Sequence, residues 1–211
     1  MDYKNENNEN NKELEVKEAV RKYKPDGRFT YADYEKWDDL DSNGNPIRYE
    51  LIDGIAYLMS APNIAHQRLS MDLSIQFGIF LKGKSCEAFA APFDVCLFGK
   101  GDDDDTVVQP DIVIICDSSK LEDGKKCNGA PDMTVEILSP STTGRDRLLK
   151  LDKYLRAGVK EYWIIDPEYK GVTVNILETG KYYVNTYVGA VEIPVAILPG
   201  CVIKMPEEFA D

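Results

Sequence analysis

The sequence predicts one globular α/β or α+β domain, in which a mixed β-sheet is covered by helices. Three observations carry this. A long helix-periodic segment is followed by short β-rich runs, then by a second helical segment and more β-rich runs, an order that suits a mixed sheet with helices on it. The composition, 43% hydrophobic, 29% charged and 10% aromatic, is that of an ordinary globular chain and excludes disordered, collagen-like and coiled-coil proteins. With 211 residues, the chain can bury roughly 70% of its unfolded surface without covalent staples.

The elements are expected as follows. Residues 1–11 are mostly Asn and Glu, cannot repay their ordering entropy, and predict a disordered polar tail ahead of a single domain over 12–211. Leu14, Val16, Ala19, Val20 and Tyr23 predict a helical N-terminal extension over Lys12–Tyr23, ended by Pro25-Asp26-Gly27. Thr30 and Asp33 resemble a capping box opening a short helix through Trp37 and Leu40, and 41–46 is turn chemistry. Ile47–Ile52 and Ile55–Ser60 flank Asp53-Gly54, the dipeptide of a type I′ hairpin. A long, largely buried helix is expected over Ala65–Lys82, because Ile64, Leu69, Leu73, Ile75, Phe77, Ile79, Phe80 and Leu81 are all apolar. Strands follow at 87–91, 93–98, 106–116 and 133–138. Then come a helix at Thr143–Ala157, with Leu148, Leu151 and Leu155 as its buried stripe and a cap from Thr142 or Thr143, and strands at 161–165, 172–177, 182–187 and 202–204.

Five scattered cysteines without a Cys-x-x-Cys pair read as reduced thiols of a cytoplasmic protein. No basic, then apolar, N-terminal run and no long apolar stretch is present, so neither export nor membrane insertion is expected. The formal charge of −12 means that a nucleic-acid partner must be met by a local basic patch or a metal. Arg145, Arg147, Lys150, Lys153, Lys82 and Lys84 are the candidates for that patch.

Asp111 stands between Val107-Val108 and Ile112-Val113-Ile114-Ile115, on or beside a buried strand where an unpaired carboxylate is costly. A turn-capping role is the plainer alternative. Glu136, within Met133–Leu138, poses the same problem in a second strand, unless it lies on a solvated sheet face. Adjacent in one sheet, the two would form a hard oxygen site suited to Mg²⁺ or Mn²⁺. On the following helix Asp146, Lys150 and Tyr154 share one face by i, i+4 spacing. Lys150 there is either a phosphate-facing cation or half of a surface ion pair with Asp146.

Val107-Val108-Gln109-Pro110-Asp111, Val135-Glu136-Ile137-Leu138-Ser139-Pro140-Ser141-Thr142, the helix bearing Asp146, Lys150 and Tyr154, Gly158-Val159 and Glu161-Tyr162-Trp163-Ile164-Ile165-Asp166-Pro167 together are similar to the Uma-two family, within the PD-(D/E)XK nuclease superfamily. Upstream, Tyr49–Gly54, Met59-Ser60 and His66-Gln67 resemble its early part. The resemblance implies a restriction-endonuclease-like fold and a bacterial, Mg²⁺- or Mn²⁺-dependent endonuclease that hydrolyses DNA. It implies Asp111, Glu136 and the carbonyl of Ile137 as metal ligands. Leu138 stands where a lysine would complete the superfamily motif, which implies that the lysine has migrated to the next helix, Lys150 first and Lys153 second. Glu50 is raised by the resemblance to a metal or supporting carboxylate. His66, the sole histidine, is a candidate base or phosphate contact, or a satisfied helix-end residue.

Serine hydrolysis is disfavoured, because Gly-x-Ser-x-Gly is absent. Asp102–Asp105 lacks EF-hand spacing and reads as a solvated hairpin tip. The rivals to a nuclease are a non-catalytic nucleic-acid-binding or regulatory protein on the same fold and a small-molecule phosphatase. DNA is the expected partner and a homodimer an open possibility.

Overall fold

The structure, a computed structural model, describes residues 27–37, 40, 47–139 and 144–207, without the side chains of 144–147. The expected tail, the helix over 12–23, the 41–46 turn and the Thr142 or Thr143 cap lie outside the described residues. In chain order the elements are α1 (Tyr31–Tyr34), β1 (Tyr49–Ile52), β2 (Ile55–Leu58), α2 (Ile64–Leu81), β3 (Glu87–Ala90), β4 (Val95–Cys96), β5 (Val107–Val108), β6 (Ile112–Ile115), β7 (Cys127–Asn128), β8 (Met133–Ile137), α3 (Gly144–Ala157), β9 (Glu161–Asp166), β10 (Gly171–Glu178), β11 (Lys181–Val188), β12 (Glu192–Pro194) and β13 (Val202–Lys204). Among the described residues no helix is long and apolar enough to cross a membrane.

The chain forms two compact units, residues 1–60 with 100–108, and residues 61–99 with 109–211. In the first, Asp33 accepts from the Thr30 amide at 3.0 Å and the Thr30 hydroxyl at 3.2 Å, closing the start of α1. That helix ends at Tyr34, short of the expected Leu40. β1 and β2 pair with Ile52 opposite Ile55 around Asp53-Gly54, whose φ values of 52° and 76° are those a type I′ turn requires. β5 pairs with β1 at Val107. Residues 101–103 form a 3-10 turn in which Asp104 is fully buried and accepts from the amides of Thr106 and Lys100. The acidic run is therefore not a wholly solvated tip, because its third member satisfies the turn's own donors.

The second unit is built on a six-stranded sheet of order β11-β10-β9-β8-β6-β3, in which only β8 and β9 are parallel, joined through α3. β4 and β7 form a short parallel pair, and β12 and β13 an antiparallel ribbon. The expected strand over 106–116 is split at Pro110, which has no amide to give a ladder. One sheet face, with Ile112, Val135, Trp163 and Val172, packs on Leu69, Leu73 and Phe77 of α2 and on the C-terminal segment around Ile193 and Ile203. The other face carries Tyr162, against whose ring Tyr154 of α3 packs edge-on with centroids 4.7 Å apart. Strand β6 is buried along its whole length, the mark of a strand covered on both faces.

Three further expectations are corrected. α2 is buried only through His66, Leu69, Leu73, Phe77 and Leu81, while Ile64, Ile75 and Ile79 are exposed, since one helix presents one face to one sheet. On α3, Leu148 is exposed and the inward positions are Tyr154 and Lys153. The helix is turned this way because the tyrosine ring fills the space over Tyr162. Cys86 and Cys116 are not reduced thiols but a disulfide, placed by continuing the β3–β6 register from Glu87 opposite Ile115 by one residue. Cys96, Cys127 and Cys201 are buried and in no disulfide.

Candidate active site

In the second unit, β6 and β8 run antiparallel with Ile112 opposite Val135, so one further step puts Asp111 opposite Glu136. The Ile137 amide donates to the Asp111 Oδ2 at 2.7 Å. Across from it stands His66, in the first turn of α2, where Asn63 caps the helix by accepting from the His66 amide at 2.9 Å. The His66 Nε2 lies 3.2 Å from each Asp111 oxygen. Burial is the largest influence on this imidazole and lowers its pKa, but the Asp111 hydrogen bond and charge, the Glu136 charge and the Ile137 main chain outweigh it, so the net shift is upward. A main-chain group that raises a histidine pKa must accept, so the Ile137 partner is its carbonyl. The ring's other nitrogen, Nδ1, is buried without a hydrogen-bond partner.

Glu136 is held from the opposite side. Its Oε1 accepts from Lys150 Nζ at 2.9 Å and from the Tyr154 hydroxyl at 2.6 Å. Lys150 and Glu136 are 13% and 14% exposed, so this is a largely shielded charge-assisted contact. The Asp146 side chain lies outside the described residues. Lys153, three residues on and about 60° round the helix, is buried with its Nζ 3.9 Å from Asp152.

Of the residues singled out from the sequence, Asp111, Glu136, Ile137, Lys150 and His66 come together here. Glu50 lies in the first unit, buried in β1 opposite Tyr57. Tyr154 is the participant that sequence reasoning placed on the right helix face without giving it a role. Its i, i+4 spacing from Lys150 was the signal. The His66–Asp111 contact had none, because 45 residues separate the two.

Among the described residues no three His, Cys, Asp or Glu side chains form a group able to hold a metal ion. What the site offers is two carboxylates on neighbouring strands and a main-chain carbonyl, with the His66 ring against Asp111 and the Lys150 ammonium against Glu136. That arrangement can bind a hard cation that keeps most of its water, and it can present an ammonium to an anion.

A family model described as "putative restriction endonuclease" matches residues 31–206. The chain belongs to the Uma2 family. No curated protein matches. Among solved structures, the Uma2 chain is similar to one described as a putative nuclease belonging to DUF820 from Anabaena variabilis, at 20% identity and a TM-score of 0.66, over 86% of this chain and 97% of that one. That likeness shows the fold, which is restriction-endonuclease-like, with mixed α+β architecture. The family segment contains every residue of the site described above, from His66 to Tyr154.

Proposed function

We propose that this Uma2 protein is a metal-dependent endonuclease that hydrolyses DNA phosphodiester bonds. The observation that carries the reading is the juxtaposition of Asp111 and Glu136 on neighbouring strands with the Lys150 ammonium 2.9 Å from Glu136. Two carboxylates and a lysine are the parts that metal-assisted phosphodiester hydrolysis needs. Membership of a family described as "putative restriction endonuclease", and likeness in fold to a protein described as a "putative nuclease", point the same way.

Mg²⁺ or Mn²⁺ fits the donors. All are oxygens, and the charges of Asp111 and Glu136 both raise the pKa of the adjacent His66, the same pull that a cation placed beside them would feel. Asp111, Glu136 and the Ile137 carbonyl would hold the ion. When bound, it would lower the pKa of a water and neutralise phosphate charge. The chain's own residues do the rest. The Ile137 amide and His66 fix the Asp111 carboxylate, and Tyr154 and Lys150 fix Glu136. Lys150 carries three N–H donors, one of which serves Glu136, and its ammonium would stabilise a phosphate oxygen whose charge grows in the transition state. His66 contacts Asp111 through Nε2, while its Nδ1 is buried without a hydrogen-bond partner.

The test is incubation of the pure protein with supercoiled plasmid, with and without Mn²⁺, beside Asp111→Ala. Loss of supercoils that needs both the metal and Asp111 is expected. Cleavage that survives in Asp111→Ala refutes the assignment. Plasmid bound without cleavage selects the non-catalytic nucleic-acid-binding protein.

A further inference from the structure

Strand β3 is an edge of the six-stranded sheet, and its end meets the candidate site. The β3–β6 register pairs Phe89 with Val113, so two residues further on Ala91 stands opposite Asp111, to whose carbonyl the Ala91 amide donates at 3.0 Å. Ala88 packs on the α2 side with Ile112 and Ile114, and strand alternation therefore puts Phe89 on the other face, with Val113, Thr134 and Glu136. One strand over and two residues along, Phe89 and Asp111 are diagonal neighbours, with Cβ atoms roughly 7–8 Å apart.

Phe93 returns across the turn and stacks on Phe89, with ring centroids 4.5 Å apart and planes 10° from parallel. Core rings of this unit pack differently, Phe77 meeting Trp163 and Tyr154 meeting Tyr162 edge-on. Phe89 and Phe93 are half-buried and Pro92 between them is exposed, so apolar surface faces water at the rim of a site built from carboxylates. The turn is also held in place. Besides the Ala91 bond, Asp94 accepts from Gln109 Nε2 at 2.8 Å, so hydrogen bonds on both sides of Phe93 tie it to the segment that ends in Asp111.

A phenylalanine ring has no donor or acceptor for phosphate or sugar. What the pair offers is a flat apolar face, and the flat group that a DNA substrate brings to this point is a base. Bases in a duplex are covered by their neighbours, and only an unpaired one has a face to give. Charge favours the same substrate. The electrostatic attraction that dominates duplex binding works against a chain of net −12, whereas stacking on an uncharged ring does not. We propose that Phe89 and Phe93 form a stacking platform for an unpaired base of the strand whose phosphate lies at Asp111 and Glu136, which makes single-stranded or locally unpaired DNA the preferred substrate. This deepens the nuclease reading and rests on it for the position of the phosphate.

Binding is measured apart from cleavage, with Ca²⁺ in place of Mn²⁺, by fluorescence anisotropy of a labelled single strand of about 12 nucleotides and of the duplex of the same sequence. The wild type should hold the single strand more tightly. Phe89→Leu and Phe93→Leu keep an apolar side chain without the flat face, and each should weaken single-strand binding about tenfold while duplex binding stays within about twofold. That loss should be the same at about 50 and 150 mM NaCl, because no phosphate contact is removed. Phe93→Tyr, which keeps the ring, should bind as the wild type does, and melting curves show that each variant is folded. Cleavage is the second arm, in which wild-type protein with Mn²⁺ meets the single strand, the duplex, and the duplex carrying an unpaired bulge. Faster cutting of the single strand and at the bulge supports the platform. Equal cutting of all three, or single-strand binding that both leucine variants retain, overturns the platform and leaves the nuclease reading standing. No preference for the single strand in binding overturns it as well, whatever is cut. No cleavage of any DNA, beside single-strand binding that needs the rings, removes the nuclease reading and supports the platform as a binding site.

Discussion

Replacing Lys150 by alanine separates its two roles, and the structure sets both magnitudes. Its Nζ donates to Glu136 Oε1 at 2.9 Å, with the side chains 13% and 14% exposed. A hydrogen bond to a charged group in such shelter contributes about 1.5–3 kcal/mol. Tyr154 remains on the same oxygen at 2.6 Å, so the carboxylate is not abandoned. The net loss should therefore be about 1–2 kcal/mol, which for a chain of this size lowers Tm by roughly 3–6 °C. Catalysis should suffer more. Removing a cation aimed at developing phosphate charge costs on the order of 10²-fold in rate. Lys153→Ala is the comparison, because that residue sits about 60° further round the helix with its Nζ 3.9 Å from Asp152, and its loss should lower stability with little change in rate. The assay is single-turnover cleavage with Mn²⁺ below both melting temperatures, beside the melts themselves. If Lys153→Ala is the inactive variant while Lys150→Ala cuts normally, the assignment of the helix face is wrong.

Tyr154→Phe removes one hydroxyl from an otherwise unchanged ring, and should raise the Mn²⁺ concentration needed for half-maximal cleavage several-fold, with about 1–2 kcal/mol lost in urea unfolding. An unaltered Mn²⁺ dependence would deny it a positioning role. In wild type, Mn²⁺ at about 100 times its Kd should stabilise the fold by about 2.7 kcal/mol, while Asp111→Ala melts stay flat. Glu161 is fully buried and accepts from Trp163 Nε1 at 2.7 Å and from the Ile197 amide at 2.9 Å, so Glu161→Gln should leave an N–H facing an N–H and cost about 1–3 kcal/mol at pH 7. Burial raises the Glu161 pKa above its ordinary 4.5. The stability linked to that shift is complete below 4.5 and is lost as pH rises through the folded value, so the wild-type advantage over Glu161→Gln in urea should narrow from pH 4 to pH 7. The Cys86–Cys116 bridge closes a 30-residue separation, so the double serine variant should lose about 3–4 kcal/mol, and the unreduced, unfolded wild type should titrate three thiols.

Local chemistry was legible from the sequence alone. Asp53-Gly54 needs positive φ at two successive residues, and few other pairs tolerate it. The Thr30–Asp33 box, both long helices and the strands around Asp111 and Glu136 follow from patterns whose period and caps lie within a few residues. Their order suggested α/β or α+β, and the mixed pairing of the sheet decided for α+β. Contacts across distance were decided by the tertiary structure. Whether Asp111 and Glu136 are neighbours depends on the register of β6 against β8, which a one-residue slip would invert. That Lys150 turns inward while Leu148 faces solvent depends on how α3 rolls to seat Tyr154 on Tyr162, an outcome that helical spacing and hydrophobicity order wrongly. Cys86 and Cys116 look like scattered thiols until β3 is laid against β6, and His66 finds Asp111 only once the first turn of α2 is placed at the end of the sheet. A sequence carries the periodicity of each element, but the rotation and register of one element against another are settled by packing, to which residues far apart in the chain contribute together.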